Sequence, residues 1–411
     1  MHRRAKTPVV GTLIAIPLFA LSCGAATSQV ISQQIQLGDV FTEQTMNVVD
    51  VSDSITMTSA AMGNGYTASN ASGGDLSVQA SQSLGGQVRA AAVLDAAGAM
   101  GATTTISTTA TGNSMDTVMV GGAVTASVNQ TAGAAGVLAR GQIEAPEGAA
   151  TDINQSTQAV NNSYGLDLTN AAAGLRINQY TDGGAVADGG LIVGSLSGQG
   201  VLAGQAVANN ATLVGTENSA YRVVSDQVSR GDVVQASKFA AYGESYVTTT
   251  NANASANNLH ATNQGSELTV TSRQSNTAYV RAQAEATSAT FGAAQATAYG
   301  VGNSMLAGGV GPEVTISNTQ DNSGGGVDVI ATLGGGSGYD AASTAIAFGN
   351  AATGYACSTC TSTLKADNYQ SNSAEVGATS RLTTTGPVRR AAGTVTAVGN
   401  NASYSVTTPS H

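Results

Sequence analysis

The chain has no tryptophan, only five phenylalanines and six prolines, and charged side chains make up 10% of it. About a quarter of a typical soluble domain is charged. Without bulky aromatics it cannot build a thick globular core. Without high charge or abundant proline it also lacks what keeps disordered chains apart. Apart from one segment near the N-terminus, no apolar run approaches the length of a membrane-spanning helix. Histidine is scarce as well. Past the N-terminal segment only His260 and His411 remain, so a Ser–His–Asp triad has little to draw on. What the chain has in quantity is Gly, Ala, Ser, Thr, Asn and Gln. Such a composition suits a structure held by backbone ladders, small side chains and stacked amides.

The N-terminal exception reads MHRRAKTPVVGTLIAIPLFALSCGAATSQ. Arg3, Arg4 and Lys6 precede a 13-residue apolar run, Val9 to Leu21, and small residues follow. This is the pattern of a secretory signal peptide, residues 1–26, cleaved after Ala26 by the small-x-small rule of Gly24 and Ala26. A lipoprotein with Cys23 acylated is the alternative, although Ala20 stands where Leu is expected. Residues 27–411 then carry 12 basic against 25 acidic side chains, a balance of −13. That charge argues against nucleic acid as a partner and against electrostatic attraction to anionic lipid. In an oxidising compartment, Cys357 and Cys360 of ACSTCTS read as a small-loop disulfide. A redox motif would want a βαβ setting, and zinc would want two further ligands.

One motif returns on a schedule. YGVGNSM, AFGNAAT and AVGNNAS belong to a series whose asparagines are Asn64, Asn113, Asn162, Asn210, Asn258, Asn303, Asn350 and Asn400, at intervals of 45 to 50. Gly or Asn precedes each one, which predicts a left-handed turn there. Sixteen to twenty residues later come Gln82, Gln130, Gln179, Gln227, Gln274, Gln320 and Gln370, with Gln34 in the matching place before Asn64. Ahead of each Gln runs a period-two apolar pattern, as in Leu76 and Val78, Leu175 and Ile177, Leu268 and Val270, Val314 and Ile316. A third marker follows at Val88, Val137, Val186, Val234, Val280, Val327 and Val376. Two residues further on stands Ala in most repeats, with Asp188 and Val329 as departures.

The chain is therefore an array of about eight degenerate repeats of about 48 residues over 27–411, with a less regular C-terminal end. Propellers share the period but bring Trp and bulky strands. Helical repeats fail because Thr, Val, Gly and Asn dominate and no Leu face recurs at helical spacing. The expectation is an all-β, repetitive β-solenoid, with a β-sandwich array as the alternative. The Asn and Gln columns would form amide ladders between coils, and two coils per repeat would make the stack about 75 Å tall.

Motifs that carry chemistry are few. GGSGYD, Gly335 to Asp340, matches the opening of a calcium-binding nonapeptide, but such sites need tandem copies and only one is present. A glycine-rich loop is the plainer reading. The nearest carboxylate clusters are Asp50 with Asp53 and Glu144 with Glu147, far from the one-faced arrays of β-helix lyases. No metal, cofactor or catalytic residue is expected, and the chain does not read as an enzyme.

The stretch SELTVTSRQSNTAYV, Ser266 to Val280, resembles the repeats of curlin-type proteins, though these repeats are about twice as long. Over roughly residues 27–411 the chain resembles the HfaD family of holdfast-anchoring proteins from stalked bacteria. The likeness lies in the signal, length, composition and Gln/Asn repeat plan. That resemblance implies export to the outer membrane and cell surface, helped by a curli-secretion-like outer-membrane lipoprotein. It implies sister anchor proteins as partners and a role tying an adhesive polysaccharide to the envelope in surface adhesion and biofilm formation. It transfers no catalytic residue. Self-association as a curlin-like, amyloid-type fibre subunit is the first alternative function, and a β-helix enzyme acting on polysaccharide the second.

Overall fold

The computed structural model describes residues 28–357 and 363–407. The signal segment and the pairing of Cys357 with Cys360 lie outside them. The described chain is all-β and winds as a β-solenoid of eight coils. The second coil shows the plan, with legs Leu76–Leu84, Val88–Ala96 and Thr103–Val120. First legs stack in chain order into an eight-stranded sheet, and second and third legs stack into a twelve-stranded one. Pairing is parallel from coil to coil. In the fourth to seventh coils the second and third legs run on as one strand, from Ala185–Thr216 to Val327–Cys357.

Alternation explains the legs. In Leu76–Leu84 the residues Leu76, Val78, Ala80, Gln82 and Leu84 are buried, and the residues between them face outward. Thr, Val and Ile suit such half-buried pleats. Each coil is flattened. The first leg lies against the far half of the third leg, and the second leg lies against its near half. Two separate cores result. One holds Val88, Ala90, Leu94, Ile106 and their equivalents, and the other Leu76, Val78, Met115, Met119 and theirs.

Three details depart from the sequence reading. First, residues pair with partners one repeat away, as in Asn64 with Asn113 and Asn303 with Asn350. One repeat is thus one coil, and eight coils stand about 38 Å tall. Two coils per repeat would need short legs, whereas each third leg here is a long bent strand.

Second, the residue before the ladder Asn is not a left-handed turn. Gly63 lies inside Ser54–Asn70, and the glycines with positive φ lie elsewhere, as at the Gly121–Gly122 turn between coils. The register runs unshifted from Met62–Thr111 to Asn64–Asn113 and skips Gly63 and Gly112 together, so both strands break their pairing at one level with no extra residue in either. A Cβ on Gly63 would sit 2.6 Å from the Gly112 carbonyl oxygen, although Asn161, Ala208 and Ala256 occupy the same position in the third to fifth coils. The alternation resets at this break: Ala159, Val160, Asn161 and Asn162 are buried in succession. The third leg passes from one core to the other at this point.

Third, Ala185 stacks between Val137 and Val234, so the inward column runs through Ala185 and Ala187 while Val186 is half-buried. The departure assigned to Asp188 was a one-residue slip.

Candidate functional site

The break in alternation places an asparagine between the two cores, and the end of the first leg places a glutamine opposite it. The asparagine column is Asn64, Asn113, Asn162, Asn209, Asn257, Asn303, Asn350 and Asn400. Each Nδ2 donates to the Oδ1 of the next coil's Asn at 2.7–2.8 Å. From Asn64 to Asn350 it also donates to the carbonyl of the residue after the Gln in the next coil, as in Asn64 to Ser83 O at 2.9 Å. Asn210 and Asn258 stand one step beyond this column, where Asn258 Nδ2 donates to Asn210 Oδ1 at 2.8 Å in a half-buried pair. The interior partners in those coils are Asn209 and Asn257, both 0% exposed.

The glutamine column is Gln34, Gln82, Gln130, Gln179, Gln227, Gln274, Gln320 and Gln370. Each Nε2 donates to the Oε1 of the preceding coil's Gln at 2.7–2.8 Å. Each also donates across the coil to the carbonyl after that coil's Asn, as in Gln82 to Ser114 O at 2.9 Å. The two columns have opposite polarity. Asparagine amides donate toward the C-terminal coil and glutamine amides toward the N-terminal one, so their dipoles oppose. Both the donors and the acceptors of a buried amide are thereby satisfied.

The scattered carboxylates have a structural use that the sequence did not disclose. Asp39, Asp50, Asp75 and Asp152 each accept the backbone N–H of a residue one coil on: Gln87 at 2.8 Å, Ala99 at 2.9 Å, Ala123 at 3.0 Å and Gln199 at 2.8 Å. They stitch turn to turn. Asp340 of GGSGYD belongs to an extended leg and is gripped by Arg389 at 2.8 Å and Arg390 at 3.2 Å. These guanidinium groups hold its carboxyl below the ordinary range. His260 is half-buried in the Val233–Asn263 strand.

Among the described residues, one cation is buried. Lys238 is 1% exposed, with Nζ 2.6 Å from Thr157 Oγ1 and 3.2 Å from the Asp188 carbonyl oxygen. Thr157 belongs to the third coil and Lys238 to the fifth, so the side chain runs along the solenoid axis. Gly204 in the coil between leaves the room, because a Cβ there would lie 2.5 Å from Lys238 Cε. Burial pulls the ammonium down to about 7, against an opposing pull from the Asp188 charge. Tyr164, enclosed in the other core beside Thr117, is pushed up to about 12 by burial. Neither residue announces its burial in the sequence, where one reads as surface charge and the other as an ordinary strand aromatic.

Backbone rungs and two amide columns recur along the stack, and carboxylates stitch the first four coils to one another. Together they define a structural protein of the parallel β-solenoid class, cross-linked between coils along its height. The chain belongs to the HfaD family, holdfast attachment protein D, whose profile matches residues 49–326. No curated protein and no solved structure matches it. The matched span runs from the third leg of the first coil to the first leg of the seventh and takes in the second to sixth coils whole, where both columns are continuous. Membership assigns the chain to holdfast attachment, and with it to adhesion at the cell surface or envelope.

Proposed function

We propose that the chain is a tether that ties an adhesive polysaccharide to the cell envelope and carries no catalysis. The observation that supports this is the double amide column inside an unbroken parallel stack. Separating two neighbouring coils means breaking a whole rung of backbone bonds together with both amide links, because the legs of a coil are joined and cannot separate singly. A tether must resist pulling, and such a rung resists without a thick core. The outer face of the first-leg sheet offers the other half of the task. Around Gln33, Gln79, Ser81, Ser127 and Asn129 it forms a shallow groove in which amides and hydroxyls flank an exposed Ile31. A long sugar chain laid across repeated groups of this kind would be held by many weak hydrogen bonds acting as avidity. Export to the outer surface by a curli-secretion-like lipoprotein, and company with sister anchor proteins, complete the proposal.

The test is deletion of the gene in its host, followed by a wash-off assay with labelled adhesive polysaccharide. Cells that make the adhesive but release it into the medium support a tether. Adhesive that stays on the washed cell, or is never made, contradicts it. Turnover of an acidic glycan by the purified chain would favour an enzyme instead.

A further inference from the structure

The two ends of the solenoid are complementary to one another. At the first coil, among the described residues, the asparagine column ends with Asn64 Oδ1 accepting nothing. The glutamine column ends with Gln34, whose Nε2 bonds only Gly65 O, at 2.9 Å. At the last coil the polarity is reversed. Gln370 Oε1 accepts nothing among the described residues, and Asn400 Nδ2 has only a long 3.5 Å contact to Gln370 O. Each end thus lacks what the other offers: a donor from Asn400 for Asn64, and a donor from Gln34 for Gln370.

Spacing agrees with chemistry. From Gln34 to Asn64 is 30 residues, and from Gln370 to Asn400 is also 30. From each Gln it is 6 residues to a valine, Val40 or Val376. Setting Gln370 over Gln34 therefore sets Val376 over Val40, Leu382 over Met46 and Asn400 over Asn64. These apolar residues are only partly buried and pack against the open ends of one core; Leu364 and Tyr404 do so at one end of the second core, and Val30 and Tyr66 at the other.

Charge agrees as well. The first coil, residues 28–70, carries Asp39, Glu43, Asp50 and Asp53 and no Lys or Arg. The last, residues 363–407, carries Lys365, Arg381, Arg389 and Arg390 against Asp367 and Glu375. In a chain of net charge −10 the last coil is positive, and the same register sets Arg389 over Asp53.

We infer that a second copy of this chain docks head to tail, its first coil on the last coil of the copy before, continuing both sheets and both amide columns. Such a contact is heterologous and does not close on itself, so it yields a linear filament. Unpaired parallel edges supply the backbone bonds, and opposite end charges set the orientation. The inference is independent of which polysaccharide the chain holds.

The experiment uses the full exported chain. Wild type, Asp53→Arg and Arg389→Glu are followed by sedimentation velocity over rising concentration and by electron microscopy of the products. Matching circular dichroism spectra establish that each variant is folded. Wild type is expected to form rods whose length grows in steps of about 38 Å, the height of eight coils. Each variant alone is expected to lose assembly. An equimolar mixture is expected to regain it, because the mixture holds intact first coils, intact last coils and a charge-swapped junction. A wild-type chain that stays monomeric at high concentration overturns the inference. So do assemblies that the two variants leave unchanged, or a mixture that stays as dispersed as its components.

Discussion

Asn209→Ala isolates the amide column from everything else in the fold. The Asn209 side chain donates to Asn257 Oδ1 at 2.8 Å and Val228 O at 2.9 Å, and accepts from Asn162 Nδ2 and Thr181 Oγ1, both at 2.8 Å. Four bonds are lost, each with a net value of about 1 kcal/mol. Asn257 Oδ1 and Val228 O are then left buried without these donors, and each orphan adds a cost of about 1 kcal/mol or more. Asn162 Nδ2 keeps Tyr180 O and Thr181 Oγ1, so its loss is small. The expected destabilisation is about 4–6 kcal/mol. Its neighbour supplies the control. Asn210→Ala removes one half-buried bond, from Asn258 Nδ2 at 2.8 Å, and is expected to cost about 1 kcal/mol or less. Both substitutions have the same chemistry, the same strand propensities and adjacent positions, so the difference reports the bonds of the interior asparagine. Guanidinium unfolding followed by far-UV circular dichroism measures it. An Asn209→Ala midpoint no lower than that of Asn210→Ala would refute the assignment of the column.

Further expectations concern other parts of the same lattice. Lys238 holds its proton less firmly folded than unfolded. Folding therefore releases a proton between about pH 7 and 10.5, and stability rises with pH across that window by up to about 1.4 kcal/mol per unit. Below pH 7 the group is charged in both states and contributes no slope. Lys238→Met should remove the rise, and paired unfolding curves at pH 7 and pH 9.5 will show whether the two proteins differ in slope. Gly189→Ala should cost more than about 2 kcal/mol, because Gly189 has φ 150° and a Cβ would overlap the Gly141 carbonyl oxygen; an unchanged melting temperature would contradict that. Asp152→Ala removes the acceptor for Gln199 N–H at an exposed turn and is expected to cost only about 0.5–1 kcal/mol, seen as a small shift in the thermal midpoint.

The solenoid was legible because the glutamines sit at the end of a short, strictly alternating leg. Their spacing and the apolar pair before them cannot slip without turning the leg inside out. The asparagines were less secure for a physical reason. Asn209 and Asn210, like Asn257 and Asn258, are doublets of identical side chains, and only the break in alternation decides which member points inward. That break carries no sequence mark of its own, since Ala208 and Ala256 stand at it as well as Gly63. The same slip displaced Val186 from the column held by Ala185. Lys238 was illegible because its burial depends on Gly204, a coil away, and on Thr157, two coils away. The turn carboxylates were illegible for the same reason: each bonds a residue 47 to 49 positions on, a distance no local pattern reports.

Whether the amide-linked stack itself holds the adhesive to the cell is best decided in a flow cell. Deletion cells are complemented by Asn209→Ala or by Asn210→Ala at equal surface levels, and the shear that strips labelled adhesive from them is measured. Asn209→Ala cells are expected to shed adhesive at clearly lower shear, while Asn210→Ala cells hold it as wild type does. Equal detachment shear for the two would contradict a tether built on the interior amides.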